Sequence, residues 1–232
     1  MKHEDAQTVK ASITNSYILP CDGGYLVIDT SHRRDYKRYV RDLNKLGIDL
    51  SNIRYILLTH HHHDHAGMLA QISDQCDAKI IVHEKALDPL KRGENEVGEI
   101  LNFRAGLMIA LIKIFGERYR FPPVIPRDED IIVESDYDDL LRGIGIEGSI
   151  LYTPGHTPDS ISVVLDNGDA FVGDLSMNMP KFMGFKYRPP YVDDIDSIFA
   201  GWKKVLDAGS KTIYPGHGKP LPAERLTTTG LI

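Results

Sequence analysis

Five histidines and an aspartate occupy six consecutive positions, His60-His61-His62-His63-Asp64-His65, directly after the apolar segment Ile53–Thr59 (IRYILLT). A short continuous apolar run of this kind reads as a buried strand, so the histidines begin where the chain leaves a sheet. On extended backbone, residues i and i+2 point to the same side, so His60 and His62 can share one ion. Asp64 and His65 lie one step on, where the chain turns into a helix, and can face a second ion. Imidazole nitrogen suits zinc and a carboxylate suits a harder or borderline ion, so the set favours Zn²⁺, with Mn or Fe also served. A tag-like or surface histidine run would sit at a terminus and would not follow a buried strand.

Three further segments end in the same way. Ser149–Thr153 runs into Pro154-Gly155-His156-Thr157, Ala170–Gly173 into Asp174, and Lys211–Tyr214 into Pro215-Gly216-His217. Each donor alone is background. Together, all following short apolar strands, they converge on one sheet edge, where α/β proteins place their sites.

The remaining pattern is a layered α/β chain. Ser16–Leu19 and Tyr25–Asp29 flank the turn Cys21-Asp22-Gly23-Gly24, a hairpin signal. Tyr36, Tyr39, Val40, Leu43 and Leu46 follow helical spacing, stopped by Gly47, and His65–Asp74 predicts a second helix. Strands follow at Lys79–His83, Ile131–Val133 and Ser160–Leu165, with a hairpin turn at Asp166-Asn167-Gly168-Asp169. Asp194–Ala208 is a last amphipathic helix, aspartates at its start and Gly209 at its end. Between about 84 and 130 lies a helical insertion with an apolar stretch at Leu101–Phe115, ending in an extended Pro-rich linker. That stretch can serve as a lid, the wall of an acyl pocket, the contact of a homodimer, or plain packing. The expectation is a single domain over 1–232 carrying this insertion.

Charge and cysteine content narrow the partners. With 27 Lys+Arg against 33 Asp+Glu and a net charge of -6, the chain lacks the basic field of a nucleic-acid binder. Two cysteines make neither a disulfide framework nor a thiolate zinc site. The start, MKHEDAQTVK, has no apolar signal core, and Ala105–Ile112 is too short to span a bilayer. A cytoplasmic protein with a small-molecule substrate, no nucleic-acid partner and no membrane partner is expected.

The ordered set HHHHDH, TPGHT, GD and YPGHG resembles the metallo-β-lactamase-fold superfamily of metallohydrolases, and the likeness runs from NSYIL and YLVIDTS to PGHGKP. The resemblance implies a four-layer αβ/βα sandwich. It implies a first metal on His60, His62 and His156, a second on Asp64, His65 and His217, and Asp174 bridging both. Asp29, in VIDT, resembles a residue that braces the ligands from behind. The implied chemistry is a hydroxide shared by two zinc ions attacking a carbonyl, with Asp174 holding the pair and Asp64 orienting the nucleophile and shuttling its proton. His61 and His63 are expected to point away from the metals, supporting the ligands from behind or lying at the surface, and His83 to be a core or surface histidine.

Departures from particular branches matter as well. The bridging position is Asp174 rather than a cysteine, against antibiotic hydrolysis. A glutathione-binding extension of the glyoxalase II kind is not expected, Met177 stands where lactonases of acyl-homoserine lactones have a tyrosine, and the insertion, carrying both charge signs, is not expected to act as the basic arm of RNase Z proteins. The expected reaction is hydrolysis of a small ester, thioester or lactone, with phosphodiester hydrolysis on the same centre as the alternative. Candidate substrate contacts in the segment after Asp174 are Met177, Lys181, Phe185, Lys186, Tyr187 and Arg188, whose competing use is packing the next helix.

Overall fold

Alternating side chains along the central strands sort the core into three slabs. In the computed structural model, which describes residues 6–95, 99–100, 103, 106, 120–179, 184 and 187–226, one sheet holds β1 (Gln7–Ala11), β2 (Thr14–Cys21), β3 (Gly24–Ile28), β4 (Ile53–Leu57), β5 (Lys79–His83) and β7 (Ile131–Val133) in that order. A second holds β8 (Gly148–Tyr152), β9 (Ile161–Leu165), β10 (Asp169–Gly173), β12 (Thr212–Pro215) and β13 (Leu221–Pro222), ordered β13-β12-β10-β9-β8. β6 (Glu99–Ile100) and β11 (Tyr191–Val192) form a separate antiparallel pair.

Successive strand residues face opposite ways, so Val27 points to the helices while Leu26 and Ile28 point to the other sheet. On the outer side of the first sheet, Ile18, Val27, Ile56 and Ile80 pack against α1 (Tyr36–Lys45), α2 (Leu69–Cys76) and α3 (Leu87–Arg92) through Tyr39, Leu43, Ile72 and Leu90. Between the sheets, Tyr17, Leu19, Leu26, Ile28, Leu57 and Ile81 meet Ile150, Ile161, Val163 and Phe171. Outside the second sheet, Val164, Ala170 and Val172 pack on α4 (Ile195–Asp207) through Ile198, Trp202 and Val205. Each such Leu or Ile contributes about 1.5–3 kcal/mol on burial. Helices, sheet, sheet and helix give the four-layer sandwich that the resemblance implies.

Three expectations are corrected. The second helix starts at Leu69, not His65: residues 63–68 form turns, because the Thr30 amide and hydroxyl donate to the His65 carbonyl and the Met68 amide donates back to the hydroxyl. Those bonds take the backbone groups that a helix would need. Leu46 caps α1 in the exposed position rather than joining its buried face. The borders of the insertion are core: Ala86, Leu90, Phe121 and Val124 are buried with the first helical layer, and the Val124 amide donates to the Leu90 carbonyl. The stretch 101–115, except for residues 103 and 106, lies outside the described residues.

Candidate metal centre

The two sheets present their strand ends to the same edge, and seven side chains meet there. His60, His62 and His156 form one group of ligand atoms, Asp64, His65 and His217 another, and Asp174 joins His60 and His65; within each group the atoms lie within 4.8 Å of one another. Asp174 stands between them. Its Oδ2 is 3.4 Å from His156 Nε2 and 3.5 Å from His217 Nε2, and its Oδ1 is 3.4 Å from His65 Nε2. At the outer side, His217 Nε2 is 3.1 Å from Asp64 Oδ2, and Thr14 Oγ1 donates to that oxygen at 3.4 Å. All seven are buried; Asp64 and His217, at 8% exposure each, are the most open and mark the mouth.

Hydrogen bonds fix which nitrogen of each imidazole faces inward. His65 Nδ1 donates to Asp29 Oδ2 at 2.8 Å, His156 Nδ1 to the Tyr191 carbonyl at 3.1 Å and His217 Nδ1 to the Ile13 carbonyl at 3.0 Å. The Thr59 hydroxyl donates to Asp29, so His60 Nδ1 donates to that hydroxyl, at 3.1 Å. Four rings therefore keep their Nδ1 protons on an outer partner and turn Nε2 to the centre, the arrangement of metal-ligating histidine.

Asp29 does most of this bracing. It sits just past β3 with a φ of 58°, a left-handed conformation that aspartate tolerates better than most residues. There its Oδ1 accepts the Thr59 amide at 2.7 Å, while Oδ2 accepts both the Thr59 hydroxyl and His65. Gly216 supplies the space beside Asp174 and His65: a Cβ would lie 2.6 Å from Asp174 Oδ1 and 2.6 Å from His65 Cε1.

The electrostatics call for a cation. Burial works against an imidazolium at His65 and His217. Yet Asp29, Asp174 and Asp64 hold His65 well above the ordinary histidine range, and Asp174 with Asp64 lifts His217 to about 10. Burial likewise opposes ionised Asp64 and Asp174, and His65 and His217 overcome it, holding both carboxyls well below the usual value. Burial, reinforced by the neighbouring His65, pushes His60 down, and burial lowers His156 too. Two donors remain without hydrogen-bond partners, His60 Nε2 and Asp174 Oδ1. Buried polar atoms of this kind are costly unless something binds them, and a nitrogen and a carboxylate oxygen are what a borderline divalent cation takes. The residues fit a metal.

Sequence reasoning missed several supporting groups. Asp159 Oδ2 accepts the His61 amide at 2.9 Å and Oδ1 pairs with His61 Nδ1 at 2.8 Å, so His61 is buried on a partner outside the seven-residue cluster. Asn95 does the same for His63, accepting its amide at 2.8 Å and meeting its Nδ1 at 2.9 Å. The available signal was TPGHTPDS, which sets Asp159 three residues after His156. His83 is buried and stacks on Tyr152 at 4.3 Å. Of the expected substrate contacts, Met177 is buried with its amide donating to the Tyr187 carbonyl, and Tyr187 packs on the layer beneath α4, the packing use. Arg188 is half-buried, and Lys181, Phe185 and Lys186 lie outside the described residues.

Comparison with known proteins agrees with the geometry. Residues 9–217 match the model of the metallo-beta-lactamase superfamily. A beta-lactamase-like protein 2 homolog of Drosophila melanogaster is 25% identical over 206 residues, covering 88% of this chain and 58% of its own length. The chain thus spans little more than half of that relative. A probable metallo-hydrolase of Methanocaldococcus jannaschii is 27% identical over 209 residues, covering 89% of this chain and 88% of its own. Among solved structures, an archaeal metallo-beta-lactamase superfamily protein from Sulfolobus tokodaii superimposes with a TM-score of 0.66 at 21% identity, covering 96% of this chain and 83% of that one. With the sandwich and the match over 9–217 in agreement, the chain belongs to the metallo-beta-lactamase superfamily.

Proposed function

We propose that this metal-dependent hydrolase cleaves a small ester, thioester or lactone, using two zinc ions held by His60, His62 and His156 on one side and Asp64, His65 and His217 on the other, with Asp174 between them. The observation that carries the reading is the ring of inward-facing Nε2 atoms around Asp174, with His60 Nε2 and Asp174 Oδ1 accepting no hydrogen bond among the described residues. Metal ions bound there lower the pKa of coordinated water toward about 7 and polarise a carbonyl. The chain's own part is to hold and move protons. Asp64, at the mouth, presents a carboxylate kept ionised beside His65 and His217, so it can orient a water and pass its proton to a leaving alkoxide or thiolate. Asp174, His60 and His156 lie deeper and exclude bulk water from the reacting side. A cytoplasmic setting suits the two unpaired cysteines, Cys21 and Cys76, and among the described residues no helix is long and apolar enough to cross a membrane.

Zinc-reconstituted protein assayed against thioester, lactone and bis-phosphodiester chromogenic substrates, with metal analysis of the same sample, tests this. Turnover of the carbonyl substrates with two zinc ions per chain is expected. Turnover of phosphodiesters alone would overturn the substrate class, and full activity with a single ion would overturn the paired centre.

A further inference from the structure

Asn95 grips the ligand loop from outside the cluster. Its Oδ1 accepts the His63 backbone amide at 2.8 Å, and an amide N–H can meet only the oxygen of that side chain, which makes Nδ2 the atom 2.9 Å from His63 Nδ1. Nδ2 only donates, so His63 Nδ1 accepts and the ring proton sits on Nε2. Asp64 Oδ1 lies 3.7 Å from the same Nδ1, beyond hydrogen-bond reach. The other carboxylate oxygen, Oδ2, is the one turned to His217 and Thr14. Asn95 also stands at the neck of the insertion. There Glu94 and Arg120 form an antiparallel bridge and an ion pair at 2.6 Å, and the Phe121 amide donates to the Gly93 carbonyl at 2.9 Å.

We infer that Asn95 is a positioning residue of the centre: by donating to His63 Nδ1 it keeps that ring from donating to Asp64 Oδ1, and so reserves this oxygen for the water that Asp64 orients. The inference rests on the hydrolase reading above, in which Asp64 takes up the proton of that water, and adds to it the residue that governs the second oxygen. An imidazole N–H on Oδ1 would fill the acceptor the water needs, while Oδ2 stayed with His217. The contact therefore acts on turnover and leaves the ions in place. The pairing of the insertion's two borders sets where Asn95 stands, which gives the insertion a part in the site.

Nitrogen NMR of the zinc-loaded protein reads the tautomer directly. The His63 proton is expected on Nε2 in the parent and on Nδ1 in Asn95→Asp, whose carboxylate accepts from the backbone amide and from the ring alike. Asn95→Ala should keep the parent's zinc content. With a thioester or lactone that the parent cleaves, its kcat should fall about tenfold with KM within about threefold. His63→Phe leaves no ring nitrogen to turn on Asp64, so adding Asn95→Ala to that variant should change kcat by less than about twofold, whereas a loss that came only from loosened packing would persist there. A His63 proton on Nδ1 in the parent would overturn the inference. So would loss of zinc in Asn95→Ala, a kcat that this change leaves untouched, or an equal loss in both backgrounds. If the parent cleaves none of the carbonyl substrates, the hydrolase reading fails by itself, while the tautomers of the parent and Asn95→Asp still decide whether Asn95 holds the ring away from Asp64.

Discussion

Replacing Asp29 by Asn changes one oxygen to an NH₂ group at the point where two ligands are braced. The Oδ1 side is preserved: an amide oxygen accepts the Thr59 amide as the carboxylate does, at 2.7 Å. The Oδ2 side is not. It receives two donors, the Thr59 hydroxyl at 2.7 Å and His65 Nδ1 at 2.8 Å, and an NH₂ group can accept neither. The Thr59 hydroxyl can turn away, but His65 cannot leave a buried N–H facing another donor. It takes the other tautomer, which puts its proton on Nε2, the atom aimed at Asp174. The loss of one charge-assisted hydrogen bond costs about 1.5–3 kcal/mol, or about 3–12 °C in melting temperature for a chain of this length. The larger effect falls on the ion: loss of an outer partner to a ligating histidine typically costs about 10–100-fold in metal affinity. Competition against a chelator with a zinc-responsive dye measures that affinity, and circular dichroism melts of the metal-free protein measure the fold. An Asp29→Asn protein that melts lower yet binds zinc as tightly as the parent would refute the claim that Asp29 acts through the His65 tautomer.

Further perturbations test other parts of the site. Gly216→Ala forces a methyl group against Asp174 Oδ1 and His65 Cε1 at 2.6 Å, so it should lower metal occupancy and destabilise the fold by about 1–3 kcal/mol, read by metal analysis and urea titration. Asp159→Ala leaves the buried His61 amide and ring without their partner and should reduce zinc at the His60–His62–His156 group more than at the other, as resolved by stepwise zinc titration. Zinc binding to the metal-free protein at about pH 8 should release a proton from His217, whose pKa, against the effect of burial, is raised to about 10 by Asp174 and Asp64; calorimetry in buffers of different ionisation enthalpy counts it. Because the His217 pKa is raised from 6.5 to about 10 in the fold, its contribution to metal-free stability is complete below about pH 6.5 and lost as pH rises through about 10, so the urea midpoint should fall between those values.

The candidate ligands were legible because they follow short apolar strands, and strands of one sheet edge deliver their ends to one place. His60, His62, Asp64, His65, His156, Asp174 and His217 could be read from that rule and the family likeness. The helix start at Leu69 was not, since Thr30, far upstream, takes the backbone bonds that would begin it at His65. Asp159 was hidden for a similar reason. Its partner His61 is 98 residues away, and TPGHTPDS marks Asp159 as close to His156 without announcing that it pairs with His61. The insertion looked separable by composition, yet Leu90 and Val124 at its borders are core and β6 pairs with β11. Periodicity reports a segment's own faces and is blind to what another segment lays upon them.

The stitching of the first strands to the last loop has a consequence for how the chain is made. Asn15 donates its amide to the Gly216 carbonyl and its side chain to the Pro215 and Gly218 carbonyls, Tyr17 donates its hydroxyl to Pro215, and Ile13 holds His217. On a ribosome these partners emerge about two hundred residues apart, and Asp64 and His65 wait for His217 across about one hundred and fifty. A nascent chain therefore carries incomplete ligand sets until His217 has been made, when the docking of the two halves assembles the whole centre at once. Metal loading then follows the docking of the two halves, and a chain stalled before His217 would expose a histidine cluster able to seize ions without the geometry to use them.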